Sequence, residues 1–444
     1  MRKITYIITL LSIIAINSYA QQAPKDSVYN LSLQDCINYA YEHQDSVINA
    51  KLDVQSADYK VKETIGSGLP QISGSVNFQD YLKAPTILFP NGKGGFQSFS
   101  IYQKYNNTFG LGLNQLLFDG TYLVGVKAAK TYKELSARSY TRSRIDVNVN
   151  VTKAYYQVLV NAEQIRLLDA NVKELKQQLD ETTAQNKQGF VEKIDVQRLT
   201  VQYNSVVNTH DNTLRLLGLS YQLLKFQMGM PIENQVTLTD KLEDISLDPN
   251  IQDISADTSF YHNRVEYGLS ETNLKLNQYD LQRKKAQYLP SLSFNAQTSA
   301  LFQNDSFSKL YATNFPSTYI GITLNIPIFS GGQRLNQVRQ TNINVIKAQN
   351  DLNNLKNALD LQASQARINY TNGLQTLKSQ KENQELAAEV LRVSKIKYSQ
   401  GVGSSIEVTQ AETALEDADN KYIQGLYDAL ISKVDLEQAY GRIK

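Results

Sequence analysis

Lys187-Gln188-Gly189-Phe190-Val191-Glu192-Lys193-Ile194-Asp195-Val196-Gln197 returns later in the chain as Ser399-Gln400-Gly401-Val402-Gly403-Ser404-Ser405-Ile406-Glu407-Val408-Thr409, with Gly189 aligned to Gly401 at an offset of 212 residues. In both copies a glycine ends a long proline-free stretch and a new apolar run opens a few residues later, as where one helix stops and another starts. Outward from this pair, Phe118-Asp119-Gly120 returns as Phe329-Ser330-Gly331, and Leu69-Pro70-Gln71-Ile72-Ser73 returns as Leu289-Pro290-Ser291-Leu292-Ser293. These offsets are 211 and 220 residues, and the large slippage falls between the strands, where loop length varies freely. The chain is one unit written twice. Each unit reads helix, strand, loop, strand, very long helix, tight turn, helix. The first repeat covers residues 21–230, an inter-repeat segment 231–262, and the second repeat 263–444.

The long stretches Thr121 to Asn186 and Gln333 to Ser399 contain no proline, and Gly125 and Gly373 are their only glycines. Each spans on the order of 100 Å as a helix. Val151, Val158, Ile165, Val172 and Leu179 recur every seven residues, with Ala154, Leu168 and Leu175 as partner positions. Val338, Val345, Leu352, Leu359 and Ala366 repeat the pattern, supported by Ala348 and Leu355. Such a repeat predicts a coiled-coil seam. The turns at Gly189 and Gly401 send each helix back as a hairpin.

Four segments alternate instead with a period of two. Ile72, Gly74, Val76, Phe78 and Leu82 oppose Gln71, Ser73, Ser75, Asn77 and Gln79; Leu292, Phe294, Ala296, Ala300 and Phe302 oppose Ser291, Ser293, Asn295, Gln297 and Ser299. Ile320, Ile322, Leu324, Ile326 and Ile328 oppose Gly321, Thr323 and Asn325, while Phe109, Leu111 and Leu113 against Gly110, Gly112 and Asn114 form the weakest of the four patterns. Segments of about ten residues, apolar on one face and small-polar on the other, fit lipid outside and water inside. Lys83 to Lys104 and Gln303 to Thr318 read as irregular exterior loops. Asn91-Gly92-Lys93-Gly94-Gly95 lacks the Lys-Ser/Thr pair of a phosphate loop.

The chain opens with basic Arg2 and Lys3, an apolar run from Ile4 to Ile16, and Ser18-Tyr19-Ala20. That is the pattern of a secretory signal peptide over residues 1–20. Gln21, not cysteine, stands directly after the expected cleavage site, and the single Cys36 excludes an intrachain disulfide. With no other apolar run long enough for a membrane helix, crossing a membrane requires a closed barrel of strands. Four strands cannot close one, since small membrane barrels have about eight. Copies must therefore share strands around an axis. The 45 basic and 43 acidic residues interleave to a net charge of +2, which gives no basic stripe for nucleic acid. Tryptophan is absent among 27 tyrosines and 14 phenylalanines, so an aromatic girdle must be built from Tyr and Phe.

Catalytic and metal chemistry is not written in the chain, and no cofactor is implied. His43, His210 and His262 occupy separate segments without ligand spacing. Asp35 reads as half of a capping box with Ser32, and Cys36 as packing. The competing reading is an exported coiled-coil scaffold or adhesin without a pore.

Leu31-Ser32-Leu33-Gln34-Asp35-Cys36-Ile37, the Leu-Pro-x-Ile/Leu-Ser start of each first strand, the Phe-Asp/Ser-Gly exit from each second strand, and Tyr398-Ser399-Gln400-Gly401 followed by Ile406-Glu407-Val408 together resemble the TolC-type outer-membrane efflux family. The resemblance covers essentially the whole mature length. It implies a homotrimer with a twelve-stranded barrel continued by a helical periplasmic tunnel, a periplasmic adaptor and an inner-membrane transporter as partners, and an outer-membrane exit duct of an efflux or type I secretion system. It places residues 231–262 in a belt around the tunnel, where their composition alone reads as a linker. The expected adaptor contacts are Gly189, Phe190, Val191, Gly401, Val402 and Gly403. The expected periplasmic aperture involves Tyr398, Glu407, Gln410 and Asp195, the last being the first-repeat counterpart of Glu407. Glu407 reads equally well as a solvated first-turn residue favoured by the helix dipole.

Overall fold

The computed structural model describes residues 28–90, 92, 94–242, 245–247 and 260–443. The signal-peptide reading and part of the inter-repeat segment lie outside them. The first repeat contains β1 (Val28–Leu31), α1 (Leu33–His43), α2 (Asp45–Gly66), β2 (Gln71–Asp80), β3 (Thr86–Pro90), β4 (Phe96–Ser100), β5 (Tyr105–Phe118), α3 (Gly120–Lys187) and α4 (Lys193–Met228). After β6 (Gln235–Leu238) and a 3-10 turn (Phe260–Asn263), the second repeat contains α5 (Val265–Ala286), β7 (Ser291–Asn304), a 3-10 turn (Phe307–Ala312), β8 (Asn314–Asn325), α6 (Gln333–Ser399) and α7 (Ser405–Ala439). Among the described residues no helix is long and apolar enough to cross a membrane.

Two compact units draw on both repeats: one from Met1–Asp45, Val147–Ile251 and Asn369–Asp435, the other from Ser46–Asp146, Gln252–Ile368 and Leu436–Lys444. In the first unit, the Ser32 hydroxyl accepts from the Asp35 amide (3.2 Å), and the Asp35 carboxylate accepts from the Ser32 amide (3.1 Å). This capping box starts α1, which buries Cys36, Ile37 and Ala40. The same unit corrects the linker reading. β6 pairs in parallel with β1, Val28 opposite Gln235 through Leu31 opposite Leu238. Asp240 clamps this strap by accepting from the Leu33 amide (2.9 Å) and from the hydroxyl of fully buried Tyr155 (2.9 Å). Gly229 ends α4 at φ +70, where a Cβ would meet the His43 carbonyl at 2.6 Å, so both the left-handed backbone and the close approach require glycine.

The heptad reading holds with a shift. Val151 and Val158 are buried, but further along α3 burial passes from Ile165 and Val172 to Leu168, Leu175 and Thr182. Leu168 and Leu175 pack with Val206 of α4. On α6, Leu352, Leu359 and Ala366 are buried, joined by Ala363 and Tyr370.

In the second unit a four-stranded antiparallel sheet runs in the order β2-β5-β7-β8. The expected weakest strand is central: β5 is fourteen residues long and paired on both sides. Its glycines weakened the sequence pattern, yet a Cβ at Gly110 would meet the Ser75 hydroxyl at 3.0 Å. Leu82 lies beyond β2, and Ile326 and Ile328 lie beyond β8. The loop Lys83–Lys104 contains the β3–β4 hairpin rather than irregular chain. The second loop is shorter than expected, because β8 includes Pro316, whose missing N–H an edge strand tolerates.

Candidate functional site

Strand register gives the sheet two chemically opposite faces. Directly paired residues share a face, so the row Ile72, Leu113, Ala296 and Ile320 and the row Val76, Phe109, Ala300 and Pro316 fall on one side. The row Gln71, Asn114, Asn295 and Gly321 and the row Ser75, Gly110, Ser299 and Ser317 fall on the other, where Leu301 and Phe315 are apolar exceptions toward the loop end. On this polar face Asn114 donates to Asn295 (2.9 Å), and Asn295 donates to Thr323 (3.0 Å). The apolar face holds one polar pair near its middle, Thr298 and Thr318, which satisfy each other at 2.8 Å. The apolar side chains stay open: Ile72 and Ile320 are each 75% exposed. Such a face suits hydrocarbon, and its partner suits water.

The two hairpin turns have the same construction. Gly189 and Gly401 take φ +79 and +77. Phe190 donates to the Gln185 carbonyl (3.0 Å), as Val402 does to that of Lys397 (3.1 Å). Both are left-handed glycine caps. Phe190 is 80% exposed and Val402 76%, while Val191 and Gly403 are half-buried. A groove of about 1110 Å³ opens between the turns, lined by Gln178, Glu181, Thr182, Phe190, Tyr398 and Gly401.

The expected aperture residues divide into two environments. Asp195 is half-buried, paired with Arg198 at 3.4 Å and accepting from the Ser405 hydroxyl at the start of α7. Tyr398 packs against the Leu391, Val408 and Ala411 cluster. Burial, with the charge of Asp195 adding to it, raises its pKa. Glu407 and Gln410 sit one turn apart on the exposed side of α7, and Ser404 caps the Glu407 amide at 3.2 Å. Asp195 and Glu407, counterparts in sequence, are thus unlike in surroundings.

Sequence reasoning missed a buried charged cluster higher in the same unit. Glu412 of α7 has a 6% exposed side chain 3.3 Å from Lys395 of α6, yet neither carboxylate oxygen has a well-aligned hydrogen bond. Lys395 also pairs with Glu174 of α3. Burial raises the Glu412 pKa, opposed by Lys395. The cavity beside it, about 20 Å³ and lined also by Gln202 and Glu416, has room for a single water. His43 stacks on Tyr39 (3.9 Å), and His210 lies 3.0 Å from Asp169. Among the described residues no group of His, Cys, Asp or Glu could hold a metal.

Known proteins carry the same organisation. The family described as "Outer membrane efflux protein" matches residues 36–217 and again 269–442, one match per repeat. Outer membrane protein TolC of Salmonella enteritidis is 24% identical over 75% of this chain and 68% of its own. Alkaline protease secretion protein AprF of Pseudomonas aeruginosa is 21% identical over 76% and 70%. Among solved structures, the Campylobacter jejuni CmeC outer membrane channel superposes with a TM-score of 0.74 at 16% identity, covering 96% of this chain and 90% of that one. The chain belongs to the outer membrane efflux protein family, an exit duct of the outer membrane that extends into the periplasm.

Proposed function

We propose that three copies of the chain close a twelve-stranded barrel through the outer membrane and continue it as a tunnel of helical hairpins. The tunnel passively conducts cargo received from an inner-membrane transporter through a periplasmic adaptor. The observation that carries this reading is the sheet: β2 and β8 are its two ends, and open strand edges are not tolerated in hydrocarbon. Other copies are the partners that can satisfy both edges in the same register. The helices support the reading. Val201, Leu219 and Phe226 on α4 and Leu361, Ile368 and Leu386 on α6 are all more than half exposed. Apolar stripes of this kind mark surfaces that pack against other chains. Membership in the family favours three copies over two or four.

Adaptor contact is assigned to Gly189, Phe190, Val191, Gly401, Val402 and Gly403, where two apolar tips flank an open groove. Tyr398, Asp195, Glu407 and Gln410 are assigned to the periplasmic aperture. No catalytic step is involved. Planar-bilayer recording of the detergent-extracted protein tests the duct: discrete conductance steps are expected, and an outer-membrane protein that never conducts would instead be a scaffold.

A further inference from the structure

The apolar face of the sheet stops at a definable level. From Leu292 to Phe302 along β7 it runs eleven residues, about 33 Å of strand, or about 25 Å of height at the tilt usual in membrane barrels. That equals a hydrocarbon band. The last apolar row contains Phe78, Asn107, Phe302 and Asn314, and the next contains Asp80, Tyr105 and Asn304. Carboxylate and amides appear at this boundary.

The 3-10 turn Phe307–Ala312 lies against the same face at the same level. Leu310 is fully buried. The Tyr311 ring stands 5.3 Å from Phe302, and its hydroxyl accepts from Asn107 at 2.8 Å. Phe307 packs edge-on to Phe78 (6.2 Å) and Tyr105 (5.5 Å). The segment read from sequence as an exterior loop therefore folds down over the apolar side of the strands. Phe307 and Tyr311 remain 62% and 57% exposed, and Lys309 between them is exposed with no carboxylate at ion-pair distance among the described residues. The Lys104 ammonium stands over the Tyr105 ring at 5.0 Å, beside Phe307. Asp305, the nearest acidic residue in sequence, has its carboxylate on the Lys104 amide (2.9 Å).

We propose that Phe307–Ala312 is an interfacial anchor lying in the headgroup layer of the outer leaflet, with Phe307 and Tyr311 in the acyl boundary and Lys309, aided by Lys104, holding the phosphate of anionic lipid. Rings with one apolar and one wet end collect at this depth, and a lysine near the surface selects anionic headgroups. The occupant follows from continuity: the strands below this level present the hydrocarbon-facing surface of an outer-membrane protein, so the turn that caps them meets the same bilayer. It also supplies a girdle in a chain without tryptophan.

That absence makes the test clean. Tyr311→Trp introduces the sole tryptophan into the full chain, reconstituted in vesicles of phosphatidylcholine and phosphatidylglycerol carrying nitroxides at graded depths. Strongest quenching is expected from labels about 15 Å from the bilayer centre, with Val76→Trp quenched by deeper labels. Quenching of the Tyr311→Trp indole by aqueous iodide, or mainly by labels at the bilayer centre, overturns the anchor. Should loss of the Asn107 contact disturb the turn, Phe307→Trp is read in the same way. Energy transfer to labelled phosphatidylglycerol over labelled phosphatidylcholine should show about fivefold enrichment per lysine. It should fall about fivefold in Lys309→Gln and be indifferent to added inorganic phosphate. Equal enrichment of the two lipids overturns the headgroup assignment, and competition by free phosphate overturns a lipid source.

Discussion

The ammonium of Lys395 on α6 lies 2.6 Å from the carboxylate of Glu174 on α3, so an ion pair ties the second helical hairpin to the first. Glu412 shares that ammonium from a buried position. Burial raises the Glu412 pKa. The folded chain therefore binds this proton more tightly than the unfolded chain does, and the ionised form costs stability. That cost is absent below the unfolded value, about 4.3, grows as pH rises through the folded value, and is complete above it. Glu412→Gln should raise the melting midpoint near neutral pH and lose that advantage in acid. Lys395→Met should lower the midpoint at neutral pH, leaving two carboxylates without their cation. Circular dichroism melts across this range check both, and a Glu412→Gln effect independent of pH would show that the carboxyl does not titrate with folding.

The strand faces make a depth-graded prediction. Ile320 pairs with Ala296 near the middle of the apolar band, whereas Leu324 pairs with Leu292 at its inner end. Arginine at Ile320 should destabilise assembly by about 2–4 kcal/mol, and at Leu324 by about 0–1 kcal/mol. Gln297→Arg, on the polar face, should assemble nearly as the parent does. Denaturant titration of the assembled protein measures all three, and equal losses at Ile320 and Gln297 would contradict the assigned faces.

The tips should separate docking from assembly. Phe190→Asp together with Val402→Asp places charge on side chains that touch little within the chain. Export in cells should fall at least tenfold, a loss of about 1.4 kcal/mol or more of contact energy, with the amount of outer-membrane oligomer unchanged. Normal export from this variant would move adaptor contact elsewhere.

Glu407 tests the aperture assignment. Three such carboxylates about 8 Å apart around an axis would repel by roughly 2 kcal/mol per pair at an effective dielectric near 20, enough to attract cations. Glu407→Gln should reduce cation selectivity or block by divalent ions in single-channel recordings, and Gln410→Ala should do little. If selectivity and block are unchanged, Glu407 is a helix-start residue only.

The large elements were legible because periodicity accumulates over length. Val151 and Val158 declare a helix seam, and Ile320 and Ile322 declare an outward strand face. Short elements carry too few residues for that signal. Val28–Leu31 and Gln235–Leu238 are four residues each and show themselves only when paired, so the inter-repeat segment that holds the second reads as linker. Gly110 and Gly112 weakened the alternation of the central strand because glycine carries no side chain to mark a face, and at Gly110 a Cβ would crowd the Ser75 hydroxyl. The tips were readable from Gly189 and Gly401, whose backbone demands glycine. Lys395, Glu174 and Glu412 were not, because charged residues on a helix read as solvated until three helices are seen to enclose them. Phe307–Ala312 was read as loop because a single 3-10 turn has no period.

Native mass spectrometry of the protein extracted from outer membranes in mild detergent addresses the shared barrel most directly. Three copies per particle is the result expected, with the free edge of each β2 satisfied by a neighbour's β8. A monomer that keeps its four strands folded in detergent would contradict it.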